Sequence, residues 1–350
     1  MKKILLVLAS LWIVLLAAAS VPALHWLRDN RKPNFSRSGE LYVWPGDDAE
    51  TVFEAICRDF LPKDTASLLR SFKKKKVPSY LKPGHYTISE NNTSVYVCRM
   101  LNNGWQTPVR LTLSGNLRIK SNIAAKIACQ MLADSASICT ALQDEQLLEK
   151  YGATPQTAFS LLLPDTYEIL WTATPEEIIS RQKEALDAFW TPENLAKAKN
   201  LGLTRQEVST LASIVNAESR YVPELPKIAG VYLNRLKLGM PLQADPTVAF
   251  CFDYKPQRIL KKHLETDSPY NTYKHPGLPP GPICVPTRES LGAVLNPDFG
   301  EDNGKCNLYF CANPDFSGTH LFAKTLSEHN ANARAFHKAL TLRQKQRKSE

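Results

Sequence analysis

The sequence lacks the spacings that mark redox and zinc chemistry. It has eight cysteines, but none forms a Cys-x-x-Cys pair, which argues against a thioredoxin-like site and against a zinc site. An even cysteine count in an exported protein permits disulfides, and the short-range candidates are Cys129 with Cys139 and Cys306 with Cys311. Free buried thiols are the alternative.

The sequence also lacks a basic motif interleaved with aromatic residues, so the formal charge of +9 does not indicate nucleic-acid binding. Part of that charge lies in two local runs, Lys73–Lys76 and Arg343–Lys348, which are typical of solvated faces and chain ends. A polyanion near a bacterial cell surface fits the charge equally well. The 350 residues, 43% of them hydrophobic, suffice for two modest domains and an anchor.

The run from Ile4 to Leu24 contains no charged residue. This run follows Lys2 and Lys3 and is close to the roughly 20 apolar residues that cross a bilayer. We interpret it as a retained transmembrane anchor with a cytoplasmic tip at residues 1–3. A cleaved signal peptide, ending near Val21-Pro22-Ala23, is the competing interpretation. Under both interpretations the rest of the chain is exported. The polar residues 25–39 are predicted to form a tether.

From residue 40 the pattern is mixed α/β. Leu41–Trp44 is predicted as a strand that ends at Pro45-Gly46, and a helix follows from Asp47 to Phe60. The strand, Pro-Gly turn and helix pattern returns in looser form between Tyr80 and Met100. Further predicted elements are a strand at 108–113, helices at 123–132, 174–190 and 228–238, a strand at 308–311 and a closing helix at 326–340.

A central helix is predicted to begin at Thr204, which forms a capping box with Glu207. Apolar residues then recur at helical spacing and place Glu218 on the buried face. A carboxyl group against apolar neighbours resists ionisation, which is what a general acid needs near neutral pH. The alternative is a solvent-exposed Glu218, or one that pairs with Arg220 or Arg235.

These segments, in this order, resemble the YceG-like family of endolytic murein transglycosylases. The residues that carry the resemblance are Leu163–Tyr167, Leu211–Glu218, Asn234–Met240, Leu242–Thr247, Tyr270–Tyr273, Gly277–Pro282 and Glu328–Asn330. The resemblance places the family's catalytic glutamate at Glu218. Asn216 and Ser219 depart from the family pattern, as does the insertion-like stretch Asp253–Leu264.

The resemblance implies an α+β protein with a single N-terminal transmembrane helix (4–24), a small LysM-like α/β module with its connection (40–150), a mixed α/β catalytic domain (151–342) and a basic tail (343–350). It implies a single-pass protein of the bacterial inner membrane whose catalytic part is periplasmic. The expected reaction is endolytic cleavage of the MurNAc–GlcNAc bond in peptidoglycan glycan strands, with formation of a 1,6-anhydro end and termination of strand elongation. Peptidoglycan synthases are candidate partners, and no nucleic acid, metal or cofactor is expected.

Polar groups on the rigid loops are candidates for holding the sugar near Glu218, because functional residues often lie on loops. We predict five substrate-binding residues, Gln243, Asp245, Asn271, Tyr273 and His320. Each has a structural alternative, since Asp245 could cap Thr247, Asn271 and Tyr273 could brace the loop, and His320 could be a turn residue. Two rival functions remain, a hydrolytic glycosidase with Asp245 as second carboxylate, and a non-enzymatic wall-binding scaffold.

Overall fold

The computed structural model describes residue 12, residues 20–115 and residues 117–349, with side chains described up to residue 346. Most of the predicted anchor, residues 4–24, lies outside the described residues. Among the described residues, we find no helix that combines the length and the apolar character required to cross a bilayer.

The chain divides into two compact units. Unit 1 comprises residues up to Arg110 together with Glu168–Thr172, and unit 2 comprises Leu111–Tyr167 and the chain from Ala173 onward. The range 40–150, predicted as the LysM-like module with its connection, is thus divided, because residues 111–150 belong to unit 2. The predicted mixed α and β character is confirmed, and the sheets are small, with two strands each.

Unit 1 is built around one antiparallel strand pair with helices between the strands. Strands β1 and β2 pair with Tyr42 opposite His85, and the inward side chains of both strands pack on the helices. The helices begin at side-chain caps, such as Asp48 before α2 and Thr93 before α5. In chain order the elements are α1 (residues 20–31), β1 (Gly39–Val43), α2 (Ala49–Phe60), α3 (Thr65–Lys74), α4 (Val77–Tyr80), β2 (Gly84–Ile88) and α5 (Ser94–Asn103).

The segment 25–39, predicted as a polar tether, is packed into unit 1. Asp29 is only 1% exposed and accepts hydrogen bonds from Arg70 Nη2 at 2.8 Å and from Ser67 Oγ at 2.6 Å. Asn34 is also buried and bonds to Ser94, while Phe35 is completely buried in the apolar core. The segment is therefore attached to unit 1 through three buried residues, while most of its other polar residues are exposed.

Unit 2 is mainly helical, and its core lies where α11, α12 and α15 pack against one another. Its helices are α6 (Lys120–Ala128), α7 (Ser135–Ala141), α8 (Glu145–Lys150), α9 (Pro175–Phe189), α10 (Pro192–Asn200), α11 (Arg205–Glu218), α12 (Leu225–Lys237), α13 (Asp245–Phe250), α14 (Lys261–Leu264), α15 (Arg288–Leu295) and α16 (Leu326–Ser349), with short 3-10 helices at Ala158–Leu161 and Val222–Glu224. Strands β3 (Val109–Thr112) and β4 (Thr166–Ile169) form a sheet, and so do β5 (Tyr309–Ala312) and β6 (His320–Ala323).

Two further expectations differ from the structure. The closing helix α16 continues to Ser349, so most of the predicted basic tail is helical. All eight cysteines are free thiols, and neither of the short-range pairs that we considered is bonded. The alternative of free buried thiols holds in part, because Cys98 and Cys284 are buried while Cys129 is exposed and the others are partly exposed.

Candidate active site

The helix that carries Glu218 is fixed at both ends. Its N-terminus has the predicted capping box, in which Thr204 and Glu207 satisfy each other's backbone donors. Residues Val208–Val215 are buried on all sides, not on one face as the periodicity indicated, because α11 runs through the middle of unit 2. The helix ends at Glu218, and Ser219 after it is already extended. Glu218 therefore projects from a rigid support.

Glu218 is held by a short hydrogen bond from helix α12. Tyr232, on α12, donates its hydroxyl to Glu218 Oε1 at 2.6 Å. Within the described residues Glu218 forms no ion pair with Arg220 or Arg235, which removes the alternative of a structural salt bridge. The carboxyl group is thus oriented by a neutral donor.

The surroundings of Glu218 favour its protonated form. Burial raises the pKa of Glu218 to about 7, the hydrogen bond from Tyr232 lowers it in part, and the negative charge of Asp245 raises it again. The C-terminal end of α11 adds the negative pole of the helix dipole, which also disfavours a carboxylate. Burial and the adjacent Glu218 raise the pKa of Tyr232 well above 10, so the phenol stays a donor. Near neutral pH, Glu218 can therefore both give and take a proton.

Glu218 lies in the wall of a cleft of about 290 Å³. The nine lining residues come from distant parts of unit 2, namely Glu218, Tyr232, Arg235, Leu242, Gln243, Asp245, Tyr273, Phe310 and His329. The mixture of aromatic rings and polar groups is typical of a site for a small polar ligand or one segment of a polymer.

Asp245 supplies a second carboxylate to this cleft. Its Oδ1 accepts a hydrogen bond from Tyr273 Oη at 2.6 Å. Asp245 does not cap Thr247, because the Thr247 hydroxyl donates to the carbonyl of Ala244 instead. Burial, and then the bond to Asp245, raise the pKa of Tyr273, so its hydroxyl stays protonated. The pair places a negative charge beside the acid Glu218.

Arg235, which also lines the cleft, holds the loop that carries Gln243. It is buried, and it donates from Nε to the carbonyl of Leu308 at 2.7 Å and from Nη1 to the carbonyls of Pro241 and Leu242 at 3.1 and 2.9 Å. It thereby fixes the loop that carries Gln243, whose φ of +52° is a left-handed conformation that is costly for a residue with a side chain. A strained residue beside the acid is common at functional sites.

His329, a part of the family resemblance, was not among our predicted site residues. Its ring stacks on Tyr309 at 5.3 Å between centroids, and its buried Nδ1 has no hydrogen-bond partner among the described residues. Burial and the charge of Arg235 lower the pKa of His329, so the ring is neutral near pH 7. Because an orphaned buried N–H is costlier than an orphaned lone pair, we place the proton on Nε2. His329 is then a neutral donor in the cleft wall.

The structure brings together some of the predicted substrate-binding residues and separates others. Gln243, Asp245 and Tyr273 line the cleft with Glu218. Asn271 does not, because it is fully buried and its amide donates to the carbonyls of Leu264 and Thr266. It braces the loop that presents Tyr273.

His320 is also absent from the lining of the cleft. Its Nδ1 lies 2.8 Å from Glu224 Oε2, and its backbone N–H donates to Glu224 Oε1 at 2.7 Å. The ring contacts Phe310 edge-on, and Phe310 does line the cleft. His320 therefore joins β6 to the segment before α12.

A second cavity in unit 2, of about 330 Å³, lies at the opposite end of α11 beside Trp190. Its charged groups already pair with one another, since Asp187 binds both Lys183 and Arg205. We therefore assign the candidate site to the cleft that holds Glu218. In the part of the chain that the structure describes, no group of three or more His, Cys, Asp or Glu side chains could hold a metal ion.

The fold has a solved counterpart. A crystal structure of a YceG-like protein from Listeria monocytogenes aligns with a TM-score of 0.52 and 27% sequence identity, over 84% of this chain and 99% of that one. The alignment is longer than unit 2 alone, so it includes residues of both units. The match shows that this chain has the same class of fold as that YceG-like protein.

The sequence comparisons identify the family. Residues 41–335 match the YceG-like family, and the chain belongs to it. A Bacillus subtilis relative named endolytic murein transglycosylase is 39% identical over 170 residues, 48% of this chain and 45% of the relative. A Streptococcus pneumoniae relative with the same name is 28% identical over 292 residues, 75% of this chain and 52% of the relative. The chain thus spans about half the length of the curated relatives it matches.

Proposed function

We propose that this protein is an endolytic lytic transglycosylase that cleaves the MurNAc–GlcNAc bond of peptidoglycan and leaves a 1,6-anhydro-MurNAc end. The observation that carries the proposal is Glu218, a carboxyl group with a pKa of about 7 in the wall of a cleft. The relatives named endolytic murein transglycosylase support the substrate and the reaction type.

In the proposed reaction Glu218 serves first as an acid. It donates its proton to the glycosidic oxygen while the bond to the MurNAc anomeric carbon breaks, and the GlcNAc portion leaves with a free hydroxyl. The negative charge of Asp245, which lines the same cleft, stabilises the positive charge that develops on the anomeric carbon. The hydrogen bond from Tyr232 stabilises the Glu218 carboxylate that this step creates.

Glu218 then serves as a base. Its carboxylate takes the proton from the 6-hydroxyl of the same MurNAc, whose oxygen attacks the anomeric carbon and closes the anhydro ring. Water is neither consumed nor released, and the protonated Glu218 is restored. An intramolecular nucleophile held against the reacting carbon has a large advantage over free water, provided the site orients the ring. Gln243, Tyr273 and the neutral His329 are the candidate orienting groups, since all three line the cleft.

Product analysis tests this reaction. Purified glycan strands are digested with the wild-type protein and with Glu218→Gln, and the new chain ends are identified by mass spectrometry. We expect anhydro ends, lighter by one water than reducing ends, and a loss of at least about 100-fold in rate for the variant. Reducing ends would refute the transglycosylase reaction, and unchanged cleavage by the variant would refute the role of Glu218.

Asp245 supports a second candidate, a hydrolase with two carboxylates. It lies in the cleft with Glu218, and its charge acts on the pKa of Glu218. A hydrolase requires Asp245 to activate water or to attack the sugar, so Asp245→Asn would abolish all cleavage. In a transglycosylase the same change weakens charge stabilisation and leaves slower production of anhydro ends. A wall-binding scaffold is the outcome if neither end is formed.

We further propose that unit 1 is a LysM-like wall-binding module and that residues 4–24 anchor the protein in the bacterial inner membrane, with both units on the periplasmic side. Two antiparallel strands, β1 and β2, with helices α2, α3 and α4 between them in the chain, support the first part. The uncharged apolar run after Lys2 and Lys3 supports the second. This location would bring Glu218 to nascent strands and to the synthases that extend them. Fractionation of cells, with protease access to the exported part, tests the location.

A further inference from the structure

Two exposed aromatic rings lie on the outer face of strand β1 and directly after its end. Alternate residues of an extended chain point to opposite faces, so Leu41 and Val43 enter the core of unit 1, while Tyr42 in β1 and Trp44, the residue after β1, point outward. Tyr42 is 41% exposed and Trp44 is 53% exposed. They stand two residues apart in the sequence and are exposed on the same side of the chain.

A third ring fixes the position of both. Trp171 is 4% exposed and contacts Trp44 edge-on at 4.7 Å and Tyr42 edge-on at 5.1 Å. The backbone of Trp44 is also held, because its N–H donates to Asp47 Oδ2 at 2.7 Å and its carbonyl accepts from the Asp47 N–H at 3.1 Å. The two exposed rings are thus pre-positioned, which lowers the entropy lost on binding.

The chain segment that carries these rings has a charge opposite to that of the whole chain. Residues 39–48 contain the carboxylates Glu40, Asp47 and Asp48 but no lysine or arginine, although the chain carries +9. Glu40 lies on the same face of β1 as the rings, and its side chain is exposed. Aromatic residues that bind membranes work beside basic groups that attract anionic lipids, so this surface does not suit a lipid headgroup.

The surface suits a glycan. A pyranose ring has an apolar face of C–H bonds that stacks on an aromatic ring, and hydroxyl groups at its edge that donate to carboxylates. We propose that Tyr42 and Trp44 form a stacking platform for the sugar rings of a peptidoglycan strand, with Glu40 and Asp47 as acceptors for sugar hydroxyls. The proposal deepens the proposed function, because it rests on a glycan being the substrate.

Binding, rather than cleavage, tests the platform. The full chain with Glu218→Gln is mixed with purified insoluble peptidoglycan, and the bound fraction is measured as a function of glycan concentration. We expect Trp44→Ala, in that background, to raise the apparent Kd about tenfold, and Tyr42→Ala to act in the same direction. Trp44→Phe keeps a ring and should bind within about threefold of the parent, whereas Trp44→Leu keeps apolar area without a ring and should resemble the alanine variant.

The matched control is Trp105→Ala, which removes a comparably exposed tryptophan of unit 1, 49% exposed, from outside the platform. It should leave the Kd unchanged, and thermal melting of each variant verifies that unit 1 stays folded. Unchanged binding by Trp44→Ala, or rescue by leucine as complete as by phenylalanine, would overturn the platform. A matching loss of binding to vesicles of phosphatidylglycerol and phosphatidylethanolamine would overturn it in favour of a membrane surface.

The outcome is independent of the reaction. If product analysis yields no anhydro ends but Trp44→Ala still weakens glycan binding, the proposed function fails and the platform stands. If anhydro ends form and binding does not depend on Trp44, the platform alone fails.

Discussion

The hydrogen bond from Tyr232 to Glu218 can be removed without emptying the site, because phenylalanine keeps the ring of Tyr232. This bond lowers the pKa of Glu218 against the larger opposing effect of burial. For Tyr232→Phe we expect the pKa of Glu218 to rise, which moves the alkaline limb of the pH profile of kcat/KM up by about half to one pH unit. The maximal rate should fall, because the carboxylate formed during the reaction loses its donor.

The control for this change is Tyr254→Phe. It also deletes a buried hydroxyl hydrogen bond, here to the carbonyl of Ile283, but without contact to Glu218. Its alkaline limb should coincide with that of the wild type. An unmoved limb in Tyr232→Phe would contradict the role that we assign to this donor.

Glu218 itself carries a stability cost with a definite pH dependence. Its pKa rises from an ordinary 4.5 to about 7 on folding, so the native state binds the proton more tightly than the unfolded state. The free energy of unfolding therefore decreases as the pH rises from about 4.5 to about 7 and stays reduced above that range. Glu218→Gln, which cannot ionise, should be more stable than the wild type by about 2 to 3 kcal/mol at pH 8 and nearly equal to it at pH 4.

Urea unfolding at the two pH values measures this difference. Glu207→Gln is a useful comparison, because it lies on the same helix but caps the N-terminus and is exposed. It should not gain stability at pH 8. Equal stability of Glu218→Gln and the wild type at pH 8 would mean that the carboxyl is not held in its acid form.

At the scale of the element, helix α12 delivers both Tyr232 and Arg235 to the cleft and depends on a close approach at Gly230. A Cβ atom built there would lie 2.0 Å from the carbonyl oxygen of Asp298, so α12 or the 298–299 segment must move in Gly230→Ala. We expect a loss of about 2 to 3 kcal/mol in the free energy of unfolding and a reduced rate of cleavage, because the hydroxyl of Tyr232 shifts away from Glu218.

A second helical glycine gives the control. Gly292 in α15 has open space where a Cβ would lie and no positive φ, so Gly292→Ala should leave stability unchanged or raise it by up to about 1 kcal/mol. Chemical unfolding and glycan cleavage of both variants make the comparison. Similar losses for the two would show that the close contact at Gly230 does not matter.

The elements were largely predictable from local signals. The capping box at Thr204, the Pro-Gly stop after β1 and the end of α12 near Gly239 are short-range patterns whose physics acts within a few residues. Glu218 could be found because helical spacing and the family resemblance indicated the same residue. The full burial of α11 could not be predicted from the sequence, because it depends on packing against α12 and α15.

The rest of the site depends on long-range contacts that no periodicity encodes. The position of the Arg235 side chain is fixed by a hydrogen bond to the carbonyl of Leu308, 73 residues later. His329 reaches the cleft from the last helix. The motif that contains His329 was visible, but its proximity to Glu218 was not. His320 and Asn271 had the chemistry of ligands, yet both are used to brace the chain, because their buried polar groups find partners within the protein.

At the scale of the whole molecule, Asp29 attaches the segment before β1 to the rest of unit 1 by its hydrogen bonds to Arg70 and Ser67. Burial alone would raise the pKa of Asp29, but the hydrogen bonds from Arg70 and Ser67 outweigh it and lower the pKa. A lowered pKa adds stability that is present above about pH 4 and is lost as the pH falls through the native pKa. We expect Asp29→Ala to destabilise unit 1 by about 2 kcal/mol at pH 7, with a smaller difference in acid.

The surface pair Arg58–Asp59 supplies the comparison, since Asp59 is well exposed. Asp59→Ala should change the melting temperature little, because exposed ion pairs contribute little to stability. Thermal melts of both variants at pH 7 and pH 3 test the difference. A melt of Asp29→Ala that matches that of Asp59→Ala would show that the segment is attached only loosely.

The buried anchor points of residues 25–39 have a practical consequence for anyone who trims the protein for crystallisation. The family match begins at residue 41, and a cut at that border would discard Asp29, Asn34 and Phe35 together. Arg70 would lose its ion pair with Asp29, and the part of the apolar core that Phe35 fills would be exposed to water. A recombinant fragment that starts at residue 25, after the proposed anchor and before Asp29, should therefore express as soluble material, whereas one cut at the family border should aggregate.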